Sequence, residues 1–487
     1  MKNIFDVVII GAGAVGCAIA RELSRYKLKI ALLEKNPDVC FETSGRNSGV
    51  VHAGFNNRPG TLMAEFCVKG NQMFDDIAKE LDVPFKRTGK LVVGFTEDDR
   101  NRLNAMKENG EKNRVPGLEI IEKDELNRKA PGIGGEFALW SPSTGVFNPF
   151  EFTVGLAENA VKNGVKIHLN NKVTSISRKD SLYYVQTDNE NFTSRWVINS
   201  AGLNSAHISD MLGIEGYKIH PCRGEYFILD KRAGEFLKLP VYPVPNPKSG
   251  GLGIHLTPSV EGNVFVGPSN EYIDSYDDYS STAEVMDMLI KDGGRIFPHL
   301  KREYFIRNFS GIRPKLAGKE TGGYHDFVIE HRKDIAPQAI NLVGIESPGM
   351  TSSVPIAKYV IELIKKEEAL EKNPDFNPNR SAVVTFRDKS PEEQAHLIEE
   401  NPNYGEIICR CETITKAEVL AAIHNPLGAD TLCGIKYRCR AMMGRCQGGY
   451  CQARIAELLM REKGKKPEDI LYKQEGSYLF CGTVCEK

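Results

Sequence analysis

The sequence predicts an α/β fold in three parts: a parallel-sheet domain, an α+β domain of antiparallel sheet inserted into it, and a small helical module at the C-terminal end. Three observations carry that reading. A strand–glycine loop–helix–strand unit opens the chain, short strands bounded by Pro and Gly interrupt the later parallel-strand signals, and eight of the twelve cysteines lie from Cys409 onward.

At ~150 residues per domain, the 487 residues divide into two to four domains. Hydrophobic residues make up 41% and charged residues 26%, an ordinary globular composition. With 63 basic against 64 acidic side chains there is no global positive field, so nucleic acid is not expected as a partner and nothing favours an anionic membrane surface. The longest apolar stretch, residues 7–20, is too short and too glycine-rich to span a bilayer. No transmembrane segment is expected, and the chain reads as cytoplasmic.

Residues 7–10 (VVII) form a short apolar run of the kind buried in a parallel sheet, residues 14–26 a helix, and residues 29–34 (KIALLE) the next strand, together a βαβ unit. Further strands of the same sheet are expected at 166–169, 196–200 and 339–344. Between them, 226–229, 252–257 and 264–267 are short alternating strands of a second, largely antiparallel domain. The expected division assigns 1–85, 140–215 and 320–366 to the first domain and 86–139 with 216–319 to the insertion. A polar connector (367–404), the cysteine module (405–465) and a tail (466–487) complete the chain.

Gly11, Gly13 and Gly16 form a GxGxxG between strand and helix. Gly11 permits the tight turn, Gly13 lets backbone N–H groups reach a pyrophosphate, Gly16 allows close helix–strand packing, and the helix N-terminus adds partial positive charge. Glu34 ends the second strand, where a carboxylate can accept hydrogen bonds from ribose hydroxyls and disfavours a 2′-phosphate. This is a Rossmann-like dinucleotide site, and the motif alone does not separate NAD from FAD. Three further segments tip the choice to FAD: 43–54 (TSGRNSGVVHAG), 197–202 (VINSAG), and 344–351 (GIESPGMT) with a helix after it to about residue 364. That last helix would aim N–H donors at a flavin pyrimidine ring, where reduction deposits negative charge.

Over residues 1–366 these segments resemble the glycine/D-amino-acid oxidase-like FAD superfamily. Within it, residues 44–54, 222–227 (CRGEYF) and 253–257 (GIHLT) are similar to L-2-hydroxyglutarate and glycerol-3-phosphate dehydrogenases. The resemblance implies a flavin domain with an inserted substrate domain, and FAD contacts at Gly11, Gly13, Gly16, Glu34, Ser44, Asn47, Ser48, Gly202, Gly349, Met350, Thr351 and Ser352. It implies a small anionic substrate, which needs an anion anchor and a base for its hydroxyl proton. Arg313, in GIRP, matches the anchor, and a planar guanidinium suits a carboxylate or phosphate. His52 and His255 are the candidates for the base, as a neutral imidazole, each also able to serve as a structural or substrate-binding histidine; Arg223 and Tyr226 are weaker candidates.

Cys409 and Cys411, then Cys446 and Cys451, give C-x-C…C-x4-C. Thr415 and Glu418 predict a capping box on a helix to about residue 424, with further helices at 431–442 and 452–461, so both cysteine pairs are expected on loops at helix ends. Four thiolates are what a [2Fe–2S] cluster requires; structural zinc is the competing use, although zinc favours C-x2-C knuckles. The stretch 443–451 (MGRCQGGYC) resembles the bacterioferritin-associated-ferredoxin-like [2Fe–2S] domain. Cys433 and Cys439 fall in the second helix, outside the pattern, and Cys481 and Cys485 lie in the tail.

Together these readings describe an FAD-dependent dehydrogenase that takes a hydride from a small anionic alcohol and passes electrons to an iron–sulfur centre. Beyond the cluster, a redox partner subunit or quinone-linked acceptor is expected, through which membrane association would be peripheral. Flavin plus cluster resembles the anaerobic glycerol-3-phosphate enzymes and favours sn-glycerol 3-phosphate, whereas RGEYF and GIHLT resemble the L-2-hydroxyglutarate branch. An amine-dehydrogenase or electron-transfer subunit is the third reading.

Overall fold

A computed structural model describes residues 4–245 and 253–482. Leu252, at the start of one expected strand, and Cys485 lie outside the described residues.

The first strand, Ile4–Ile10, runs parallel between Asn191–Asn199 and Ile30–Leu33, with Val7 opposite Ile30 and Ile10 opposite Asn199. From Val7 on, its side chains alternate between two cores: Val7 and Ile9 belong to one, Val8 and Ile10 to the other. A period of two does this, and it explains why the run is apolar on both faces. Lys166–His168 extends the sheet beyond Ile30–Leu33, and Ala339–Val343 pairs parallel with Asn191–Asn199, completing the expected strands of an eight-stranded sheet. Helices Ala14–Leu23, Pro149–Lys162, Leu62–Glu80 and Gly349–Lys365 pack together on its first core. The opening helix stops at Leu23, three residues short of its expected end, because Tyr26 leaves it to bridge with Lys372.

The second sheet has nine strands. Near one edge His220–Leu229 pairs antiparallel with Phe305–Lys315 and Val264–Gly267, and the sheet continues through His255–Pro258, Val241–Pro243, Lys90–Gly94, Phe137–Ser141 and Glu119–Glu122. The pairing of Val241–Pro243 with Lys90–Gly94 is parallel, so two distant segments of the insertion meet in one sheet.

The polar stretch after residue 366 is stitched to the first domain. Lys27 and Arg380 donate backbone N–H groups to the Glu371 and Glu80 carbonyls, and the Arg380 guanidinium donates to Glu158 at 2.6 Å and to the Leu81 carbonyl. The Asn373 side chain adds a bond to the Ser24 carbonyl. The C-terminal module has helices Lys416–Ile423, Leu432–Cys439 and Gln452–Lys463 around its own apolar core. The Thr415–Glu418 capping box forms as expected. The second helix ends at Cys439 because Arg440 turns left-handed (φ 62°). Cys409 does not sit at a helix end: it closes the strand Ile407–Cys409 of a hairpin with Ile414–Thr415, since Ile408 and Ile414 are buried in the module core. Among the described residues no helix is long and apolar enough to cross a membrane.

The module is fixed to the first domain by a buried ion pair. Arg438 donates to both oxygens of Asp38, at 2.6 and 3.0 Å, and both side chains are buried. Around it Tyr437 stacks on Phe150 (4.1 Å) and meets the edge of Phe41 (5.7 Å). Breaking one partner of such a pair strands a buried charge, so Arg438→Met should cost about 3–5 kcal/mol, read as a lowered urea midpoint. A loss within experimental error would mean that the other contacts, the ion pairs Arg440–Glu261 and Lys231–Glu412 among them, suffice to hold the module.

Candidate functional site

A cavity of about 1530 Å³ runs from the first glycine loop to the face of the second sheet. At one end Gly11 has φ +101°, and a Cβ there would stand 2.7 Å from the Ser200 carbonyl oxygen. A Cβ on Gly16 would stand 1.9 Å from the Gly11 carbonyl oxygen, so only glycine lets the helix sit on the turn. The N-cap, Gly13, brings no capping side chain, and Ser44 Oγ takes the Ala14 N–H at 3.0 Å. A second helix, Gly349–Lys365, also starts at the cavity without a side-chain cap. Two helix N-termini therefore face one cavity with their positive ends.

The structure brings Gly11, Gly13, Glu34, Ser44, Asn47, Ser48, Gly202, Gly349 and Met350 to this cavity. Gly16, Thr351 and Ser352 stand behind it: Gly16 by its packing, Thr351 because its hydroxyl accepts the His52 N–H at 3.1 Å, and Ser352 with a buried hydroxyl that has no partner. Glu34 Oε2 accepts from the Ala12 N–H (2.8 Å), and Oε1 from the backbone and side-chain N–H groups of Asn36. A carboxylate oxygen has two lone pairs, so Oε2 keeps one for a hydroxyl donor. Glycine cradle, free helix ends and carboxylate fit FAD.

At the other end the cavity is lined by His52, His255, Arg313, Tyr226, Tyr242 and Lys90. His255 Nδ1 donates to the Gly253 carbonyl at 3.0 Å, which fixes the tautomer and leaves Nε2 as an acceptor. Its ring stacks on Tyr242, centroids 3.7 Å apart. Burial pushes both imidazoles down to about 3, so both are neutral. Among the described residues Arg313 makes its hydrogen bonds through Nη2 alone, to Ser269 O (3.1 Å), Asn270 Oδ1 (2.9 Å) and Cys222 Sγ (3.3 Å), which leaves the rest of the fork to an anion. Arg223 is spent on Glu271 and Asp278. Sequence reasoning missed Lys90, whose signal is slight: a lysine opening the apolar strand KLVVG.

The four module cysteines fall into two neighbouring pairs, Cys409 with Cys451 and Cys411 with Cys446. Cys409 and Cys451 are buried, Cys411 and Cys446 exposed. A Cβ on Gly444 would stand 2.3 Å from Cys411 Cβ, so a glycine is needed where the loops close. Hydrogen bonds from the Cys451 thiol and from the Met442 and Glu412 N–H groups pull the Cys409 thiol down, and the Tyr450 and Gly448 N–H groups do the same for Cys446. Among the described residues no three potential ligands converge on a single ion. Two thiol pairs supplied with N–H donors fit a [2Fe–2S] cluster, which takes two sulfurs at each iron.

Two outcomes follow. Gly16→Val should yield protein without flavin colour while a far-ultraviolet spectrum shows retained helix. Cys411→Ser should lower bound iron and acid-labile sulfide, measured chemically, with flavin content unchanged.

Residues 6–363 match the family model described as FAD dependent oxidoreductase, and residues 407–461 that of the BFD-like [2Fe-2S] binding domain. The chain is 41% identical over 483 residues, 99% of either chain, to a glycerol 3-phosphate dehydrogenase of Caloramator mitchellensis. It is 34% identical over 406 residues, 74% of this chain and 83% of the other, to a mitochondrial L-2-hydroxyglutarate dehydrogenase of Arabidopsis thaliana. Among solved structures, the dithionite-reduced L-alpha-glycerophosphate oxidase of Mycoplasma pneumoniae with FAD bound superposes with a TM-score of 0.73 at 29% identity, covering 78% of this chain and 99% of that one. The glycine-loop cavity and the thiol pairs thus fall in the two matched regions, and the chain belongs to the FAD-dependent oxidoreductase family, extended by a BFD-like [2Fe–2S] domain.

Proposed function

We propose that this oxidoreductase dehydrogenates sn-glycerol 3-phosphate at its secondary hydroxyl and sends the electrons through the cluster to a redox partner subunit or quinone-linked acceptor, from the cytoplasm. The observation that carries the reading is the 41% identity to a glycerol 3-phosphate dehydrogenase across flavin domain and cysteine module alike. In this reading the phosphate binds the free edge of Arg313, and Nε2 of His255 or the His52 imidazole accepts the hydrogen bond of the reacting hydroxyl. The Gly11–Gly13 turn and the Gly349 helix end hold the FAD, with Ser44, Asn47, Ser48, Gly202 and Met350 against it; Gly16, Thr351 and Ser352 support that wall from behind. Bound FAD supplies the acceptor for the hydride leaving the substrate carbon. Cys409, Cys411, Cys446 and Cys451 hold the cluster. Its outer edge, with exposed Cys411, Cys446, Arg410, Arg445 and Tyr450, supports transfer to a docked partner.

A second reading, L-2-hydroxyglutarate as substrate, is favoured by the relative at 34% identity over the flavin part. Anaerobic turnover with an artificial one-electron acceptor, on sn-glycerol 3-phosphate, L-2-hydroxyglutarate and a secondary amine, decides between them. The expected outcome is fastest turnover of glycerol phosphate, with slow peroxide formation in air; a preference of an order of magnitude for either other compound overturns the proposal. Arg313→Lys removes a charge-assisted contact and should raise KM by about 10–100-fold with a smaller change in kcat.

A further inference from the structure

The reaction cavity contains a buried lysine with no counter-ion among the described residues. Lys90 is 1% exposed, and its Nζ lies 4.1 Å from the ring centroid of Tyr242 and 4.6 Å from that of Phe55. Tyr242 is the ring on which His255 stacks, so the amine and the imidazole share one aromatic neighbour. Four titratable groups face Lys90 from other elements: Cys67 on the helix Leu62–Glu80, His52 on the segment after Val50–Val51, Tyr242 on Val241–Pro243 and His255 on His255–Pro258. Arg313 acts on the same His255. Burial pushes the Cys67 thiol up to about 12 and raises the Tyr242 hydroxyl as well, so both are neutral. No carboxylate pairs with Lys90 among the described residues.

Burial penalises the ammonium form and pushes Lys90 down to about 7. The imidazoles lie far lower, at about 3. Either can accept a hydrogen bond, but neither can keep a proton near neutrality. A general base works best with its pKa close to the operating pH, and in this cavity the amine is the group with that property.

We propose that Lys90, as the neutral amine, is the final acceptor of the hydroxyl proton that the substrate loses. The inference rests on the alcohol-oxidation reading above. The substrate O–H bond breaks and its proton ends on Lys90 Nζ. The C–H bond breaks and its hydrogen leaves with both electrons to the oxidised flavin, and the carbonyl forms. Lys90 returns its proton to solvent after the product leaves.

The test follows flavin bleaching in anaerobic single turnovers of the full-length holoenzyme, using whichever small anionic alcohol bleaches the wild type. Failure of the glycerol phosphate reading shows in the wild type, whereas failure of the lysine proposal shows only in the comparison with variants. Wild-type bleaching is expected to accelerate with pH through about 7 and then level off. Lys90→Met should slow it ~10²–10⁴-fold and abolish that rise, and added primary amine should restore part of the rate. Lys90→Arg should be equally slow, because a guanidinium cannot take up a proton. The proposal is overturned by an arginine variant that keeps the wild-type rate and changes only KM, since Lys90 would then be a charge anchor. It is overturned equally by a methionine variant that keeps the pH rise, or by a wild type with no rise. The wild-type and arginine arms decide the matter even if the methionine variant does not hold flavin.

Discussion

The contact between Gly16 and the Gly11 carbonyl is the constraint from which the rest of the architecture follows. It seats the first helix directly on the turn that leaves the first strand, so that helix starts at the cavity and not above it. The first strand is covered on both faces because its residues alternate between two cores. With that strand immobile, the turn and the helix end become a rigid cradle, and the 43–54 segment returns through Ser44 to cap the one N–H next to it. The second uncapped helix end, at Gly349, needs no separate device. Its helix packs on the first, so both positive ends are aimed by the same core.

Much of this was legible in the sequence because the signals are local. The glycine spacing, the strand runs and the Thr415–Glu418 box each depend on neighbours within a few residues, and each forms. What was not legible depends on partners far along the chain. Lys90 reads as an ordinary polar residue at a strand start until the parallel pairing with Val241–Pro243 sets it against Tyr242. Asp38 and Arg438 lie 400 residues apart, and neither has a local signature as half of an ion pair. The polar run after residue 366 reads as a spacer by composition, yet its polar groups are the ones that bond it to the first domain. Cys409 was expected on a loop; the burial of its isoleucine neighbours turns that loop into a hairpin strand.

The site combines opposite electrostatic demands. A cavity that receives an anion must carry positive charge, but an enclosed cavity penalises every charge placed in it. Arg313 meets this by tethering one nitrogen to polar neighbours and keeping its charge. Lys90 meets it in the opposite way, by giving up part of its charge to burial. The imidazoles carry none. One cavity thus holds a permanent cation, a conditional one and two neutral acceptors, which is a wider range of protonation behaviour than any single residue class provides.

The way the C-terminal module is attached has a kinetic meaning. Carriers that shuttle electrons on flexible tethers spend time searching for each docking geometry. Here Arg438 and Asp38 clamp the module while Arg380 ties down the segment leading to it, so the sulfur-bearing loops keep a constant separation from the flavin cavity. In the proposed electron route this makes the module a stationary relay rather than a swinging arm, and its internal hop takes no diffusive search.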